Sequence, residues 1–193
     1  MSAVSNSNCT YVQYLEAEGK AAYKSEYYRG EIFAMTGGSP NHNSISINVA
    51  VAFRNLLRGG PCRPFNSDQR IRIDPIDLST YPDVSIVCGE LQLSPADKHA
   101  ITNPKVIVEV LSKSTESYDR GKKFMFYREI DSLQEYVLIS QSAALVEKFV
   151  RQADGKWLMT IFDGLDTNLQ LSSVNIELTL AQVYEDVVFQ PEE

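Results

Sequence analysis

Residues 103–115 read NPKVIVEVLSKST, and the run in the middle of them decides the fold. Val106, Ile107, Val108, Val110 and Leu111 have the length and β-branched character of a strand buried on both faces. Glu109 interrupts them. A carboxylate withdrawn from water is costly unless a partner compensates it. The stretch therefore predicts a sheet covered on both sides and a partner for Glu109.

The flanking sequence supplies the rest of that sheet. YPDVSIVCG (81–89) reads as a neighbouring strand with Asp83 at its start, and EYVLIS (135–140) as another. Between them, residues 115–129 have helical spacing. Strands are also expected at 61–66 and 68–74, the latter ended by Asp74-Pro75. Residues 90–103 read as a polar loop. Further upstream, 11–18 is a short helix and SEYYRGEIFAMTG a hairpin turning at Arg29-Gly30. Ser39 and Pro40 mark the cap and first position of a helix whose Ile45, Val49, Phe53 and Leu57 repeat at helical spacing until Gly59-Gly60. His42, in its first turn, reads as structural. A hairpin, ALVEKFV/KWLMTIF, and a short helix near 180–186 close the chain. The order predicts an α/β (α+β) fold, a mixed β-sheet flanked by helices, with a C-terminal β-hairpin extension. One domain is expected over 11–193, preceded by a disordered polar tail over 1–10.

The 193 residues suffice for a core without staples. A chain 44% apolar and 22% charged is not of disordered type. No run reaches the ~18 apolar residues of a membrane span, and MSAVSNSNCT lacks the basic and apolar regions of a secretion signal. The three cysteines, Cys9, Cys62 and Cys88, have neither zinc-ligand spacing nor disulfide arithmetic, so a reducing cytoplasm is expected. With only His42 and His99, a histidine-rich metal site is excluded. A metal would be held by oxygen, favouring Mg²⁺ or Mn²⁺. The net charge of −7 argues against nonspecific coating of nucleic acid.

Two constellations carry chemistry. If the strands of Asp83 and Glu109 are neighbours, the two acids converge at one end of the sheet, and a divalent cation resolves their repulsion. In ESYDRGKKFMFYREI (116–130), Asp119, Lys123 and Tyr127 follow at i, i+4 and i+8 on one helix stripe, which Tyr127 marks as inward-facing. From 105 to 128, six basic residues (Lys105, Lys113, Arg120, Lys122, Lys123 and Arg128) accompany three acids, a local balance of +3 in an acidic chain. Positive charge beside an acidic metal site suits a phosphodiester. A two-carboxylate glycosidase is disfavoured, because the single tryptophan, Trp157, lies far along the chain.

Pro82-Asp83 followed by Glu109 in an apolar strand resembles the PD-(D/E)XK nuclease superfamily. More closely, the chain resembles the Uma-type restriction-endonuclease-like family. The stretches that carry the likeness are EYYRGEIFAMTGGSPNHNSI (26–45), SDQRIRI (67–73), YPDVSIV (81–87), VIVEVLSKST (106–115), YDRGKKFMFYREI (118–130) and LQEYVLI (133–139). The resemblance implies a restriction-endonuclease-like fold and metal-dependent hydrolysis of DNA. It assigns Asp83 and Glu109 to the metal, with the Val110 carbonyl as a backbone ligand, and adds Glu26 as a further acid. It places Gln69 at the rim on the preceding strand; Asp119 and Tyr127, on the stripe of Lys123, are further candidates. The superfamily pattern sets a lysine two residues after the second acid, where this chain has Leu111. Lys123 on the following helix takes that place, while Lys113 is expected to face solvent. Mg²⁺ or Mn²⁺ is the expected cofactor, DNA the substrate, and a homodimer the expected assembly, suggested by apolar residues in the hairpin at 144–163.

Overall fold

The computed structural model describes residues 3–4 and 8–189. Of the tail expected over 1–10, residues 1–2 and 5–7 lie outside the described residues. Its Ala3–Val4 (β1) pair antiparallel with Phe33 and Ile32. Thr10 then caps α1 (Tyr11–Glu18) through a capping box with Gln13, satisfying N–H groups that the first turn leaves open. β2 (Ser25–Tyr28) and β3 (Glu31–Ala34) form the expected hairpin. Arg29 and Gly30 both have positive φ, +47° and +88°, the geometry whose twist matches paired strands. Ser39 caps α2 (Pro40–Leu56), accepting a hydrogen bond from the His42 N–H.

β4 (Cys62–Asn66), β5 (Ile71–Ile73), β6 (Leu78–Thr80) and β7 (Val84–Cys88) follow. β6 is absent from the sequence reading. All three of its residues are buried, but two are hydroxylic, so no apolar run betrays them. Ser79 Oγ hydrogen-bonds the Tyr11 hydroxyl, and Thr80 Oγ1 donates to Glu26. The expected polar loop at 90–103 is instead a small hairpin, β8 (Leu93–Ser94) and β9 (Asp97–Ile101). Its polar residues hide the pairing, and Ala100 and Ile101 anchor it in the interior.

β10 (Val106–Leu111) is buried along its whole length. A helical run then continues through α3 (Glu116–Tyr118), a π-turn (Asp119–Lys123) and α4 (Phe124–Tyr127). β11 (Glu135–Ser140), the hairpin β12 (Leu145–Arg151) and β13 (Trp157–Asp163), the pair β14 (Asn168–Leu171) and β15 (Ile176–Thr179), and α5 (Leu180–Val183) complete the chain.

Two mixed sheets result. The six-stranded sheet runs β13-β12-β11-β10-β7-β4, and the seven-stranded sheet β1-β3-β2-β6-β5-β9-β8. One face of the six-stranded sheet packs on α2, β14–β15 and α5 through Ile45, Val49, Val84, Val108, Val137, Leu178 and Val183. Its other face packs on the helical run and the seven-stranded sheet through Ile71, Leu78, Ile107, Leu111, Tyr127, Leu133 and Tyr136. β10 sits between the two cores, which is why it is apolar on both faces. It pairs parallel with β11 and antiparallel with β7.

The cysteine reading requires correction. Cys62 and Cys88 lie directly opposite each other in the β4–β7 register and form a disulfide, while Cys9 is free. Sequence spacing carries no information about that register, so the count of three suggested no pair. The cysteines therefore give no support to a reducing compartment. No helix among the described residues is long and apolar enough to cross a membrane.

Candidate active site

Asp83 immediately precedes β7, and the β7–β10 register ends at Val84 opposite Val108. Continuing it would set Val110 opposite Pro82, which has no N–H to offer. The Asp83 carboxylate closes the ladder instead: its Oδ2 accepts the Val110 N–H at 2.7 Å. A residue's N–H and C=O leave a strand on the same edge, so the Val110 carbonyl also faces the Asp83 side. Asp83 and Glu109 thereby meet at the end of β7 and β10, as the sequence requires if the strands are neighbours.

Asp83 Oδ2 has a second partner. His42 Nε2 lies 3.2 Å away, delivered by the first turn of α2. Burial opposes the imidazolium, but the hydrogen bond and charge of Asp83 outweigh it, and the His42 pKa is raised. His42, read from the sequence as structural, stands against the candidate site residue Asp83. Its signal was the cap Ser39-Pro40 just ahead of it, which fixes a helix start and leaves His42 at the end that abuts the sheet. Gly38 is needed beside it. A Cβ there would lie 2.5 Å from His42 Nδ1, closer than such contacts occur.

Glu109 is 4% exposed and has two partners on one oxygen. Its Oε1 accepts the Tyr127 hydroxyl at 2.7 Å and the Lys123 ammonium at 2.8 Å. Lys123 is 6% exposed and also reaches Asp119 at 3.5 Å and Glu26 at 3.7 Å. Asp119, Lys123 and Tyr127 thus share the inward stripe expected of them. The π-turn that spans Asp119–Lys123 widens the helix there, a feature frequent at functional sites. Lys113 is exposed and takes no part. Leu111, where the simple pattern wants a lysine, is buried in the second core.

Three acids surround one buried ammonium. Burial works against the Lys123 charge, yet Glu109, Glu26 and Asp119 outweigh it and hold the ammonium protonated. One cation does not neutralise three acids. Burial therefore pushes Glu109 up to about 8, with Asp119 and Asp83 adding to the shift and Lys123 opposing it. Burial raises Asp119 as well, against the pull of Lys123. Glu26 has both oxygens engaged, Oε1 by Thr80 and Oε2 by the Tyr118 hydroxyl at 3.3 Å.

By contrast, Asp83 Oδ1 and Glu109 Oε2 accept no hydrogen bond from the described residues. Neither is among the sealed polar atoms that lack a partner, and the Asp83 and Glu109 side chains keep 15% and 5% exposure. Each key carboxylate thus has one oxygen fixed by the protein and one free. No three His, Cys, Asp or Glu side chains among the described residues are grouped to hold a metal ion. The free donor set is two carboxylate oxygens and the Val110 carbonyl, all hard ligands of the kind Mg²⁺ and Mn²⁺ take together with water.

Gln69 departs from expectation. It lies in the bend between β4 and β5, not on a strand, and its Nε2 donates to the carbonyls of His99 at 2.8 Å and Arg70 at 3.0 Å. It makes no hydrogen bond to any member of the acid cluster.

Residues 11–182 match the model of the Uma2 family, described as "Putative restriction endonuclease". Two uncharacterized proteins of Synechocystis sp., slr1290 and sll1609, are similar over most of their lengths. The first is 38% identical across 92% of each chain, and the second 36% identical across 86% of this chain and 94% of its own. Among solved structures, "a putative nuclease belonging to DUF820" from Anabaena variabilis aligns with a TM-score of 0.75 over 92% of this chain and 98% of that one. At 17% identity this likeness shows the fold.

Proposed function

The chain belongs to the Uma2 restriction-endonuclease-like family, and from that premise we propose that it is a metal-dependent endodeoxyribonuclease that hydrolyses DNA phosphodiester bonds. The observation that carries this reading is the pairing of free oxygens. Asp83 Oδ1 and Glu109 Oε2, from adjacent antiparallel strands, stay unengaged while their sister oxygens are fixed.

With the Val110 carbonyl, these oxygens would hold Mg²⁺ or Mn²⁺. Bound there, such an ion lowers the pKa of a coordinated water and offsets charge on the phosphate. The chain's own residues prepare the site. His42 and the Val110 N–H fix the plane of the Asp83 carboxylate, and Tyr127 fixes that of Glu109. Metal-binding groups are commonly oriented by such outer hydrogen bonds. Lys123 places a permanent positive charge at the edge of the cluster, where it offsets charge developing on a phosphoryl oxygen. Asp119 and Glu26 hold that ammonium in place, and Glu26, with both oxygens occupied, acts through Lys123.

The test compares wild type with Asp83→Asn, Glu109→Gln and Lys123→Ala on linear, supercoiled and single-stranded DNA with Mg²⁺ or Mn²⁺. We expect cleavage by wild type and a loss of about 100-fold or more in each variant. Equal activity in all four proteins would contradict the reading.

A second reading is a nuclease fold without chemistry, acting as a binding or structural module. The enclosure of Lys123 among three acids favours it, because the ammonium already supplies a cation to the cluster. Absence of cleavage together with absence of Mn²⁺ binding would select it.

A further inference from the structure

The six-stranded sheet ends on β13, and we propose that this edge is where a second copy of the chain docks, by antiparallel pairing of β13 with its twofold-related counterpart. The inference is independent of the chemistry at the acid cluster. It starts from a contrast between edges. An exposed edge strand is a template for further pairing, and proteins blunt such edges with short strands, proline or charge. Among the described residues, the seven-stranded sheet ends in two strands of two residues each, β1 and β8. The other edge of the six-stranded sheet, β4, carries Arg63 and Pro64. β13 is seven residues long and contains no proline, lysine or arginine. It exposes Leu158, Met159 and Ile161 at 58%, 48% and 54%.

The backbone defines the pairing. Gln152 N–H donates to the Lys156 carbonyl and Gly164 N–H to the Ala144 carbonyl, at the two ends of the β12–β13 ladder. Antiparallel bonds alternate. Leu158, Thr160 and Phe162 therefore direct their amides at β12. Trp157, Met159, Ile161 and Asp163 direct theirs at the open edge. A twofold axis that makes two such edges antiparallel stands perpendicular to the sheet and keeps each face on its own side. Only residues of the same parity then face each other.

Centring the axis on Thr160 sets Met159 opposite Ile161 of the partner subunit and Trp157 opposite Asp163 of the partner subunit. All four edge N–H groups of each copy then find carbonyls. Met159 and Ile161 from both copies close over one face, and Leu158 meets Phe162 of the partner subunit on the other. The contact is isologous and closes on itself, and Pro64 on the opposite edge blocks propagation.

Sedimentation equilibrium of the whole chain tests this, with Met159→Lys and, as a control on the exposed face of α2, Ile47→Lys. Wild type and Ile47→Lys should run at about twice 21.7 kDa at micromolar concentration. Met159→Lys should weaken association by about 100-fold or more through like charges at the axis, with circular dichroism unchanged. Hydrogen exchange supplies the finer readout. The amides of 157, 159, 161 and 163 should be protected in wild type and exchange freely in Met159→Lys, while those of 158, 160 and 162 stay protected in both. A monomeric wild type, a dimer that survives Met159→Lys, or a dimer lost only in Ile47→Lys would overturn the proposal.

Discussion

Lys123 is the residue on which the cluster balances. It reaches Glu109, Asp119 and Glu26 from within the interior, and removing one partner of a buried ion pair leaves the others uncompensated. Lys123→Met should cost about 3–5 kcal/mol in urea unfolding at neutral pH, and the loss should shrink in mild acid as the carboxylates take up protons. The pH dependence of the wild type follows from Glu109. Its folded pKa of about 8 lies above the ordinary value of 4.5. Between those values the folded state keeps a proton that the unfolded chain has released, so stability falls as pH rises. His42, also raised, adds in the same direction, because its stabilising charge is lost as pH climbs through its folded pKa. Without divalent metal, Tm should decline from pH 5 to pH 8, and Glu109→Gln should flatten the slope. A rising wild-type profile over that range would contradict the charge balance described for the cluster.

At the scale of the element, strand β10 was legible because apolar residues on both faces admit few other readings, and its acid pointed to a site. The helical stripe of Asp119, Lys123 and Tyr127 was equally legible from spacing. The π-turn within it was not, since no residue in Asp119–Lys123 announces a widened turn. β6 and the β8–β9 hairpin escaped because buried hydroxyls and short polar strands leave no period-two signal. The start of α2 was read correctly from Ser39-Pro40, but what His42 does there depends on where β7 ends, which is a tertiary fact. Gly38 makes that placement testable. Gly38→Ala adds a Cβ that collides with the His42 ring, so the ring must move from Asp83. By NMR, the His42 pKa should fall in this variant. An unchanged value would mean that Asp83 does not set it.

At the scale of the whole molecule, the sequence carries the order of elements and the identity of the acids, but not how the strands register. Asp83 and Glu109 were named from type and spacing, and the β7–β10 pairing brings them together. The same kind of register joins Cys62 to Cys88, where counting cysteines suggested no bond. It also leaves Gln69 bonded to the His99 carbonyl, outside the cluster. Register is set by packing across the two cores, and a single chain read in one dimension does not display it. That packing leaves two carboxylate oxygens free, Asp83 Oδ1 and Glu109 Oε2. Calorimetric titration of Mn²⁺ into wild type, Asp83→Asn and Glu109→Gln tests their role as metal ligands most directly. Wild type should bind saturably, with affinity weakened about 10–100-fold or more in each variant. Wild-type heats no larger than dilution at millimolar Mn²⁺, or equal binding by all three proteins, would contradict that role.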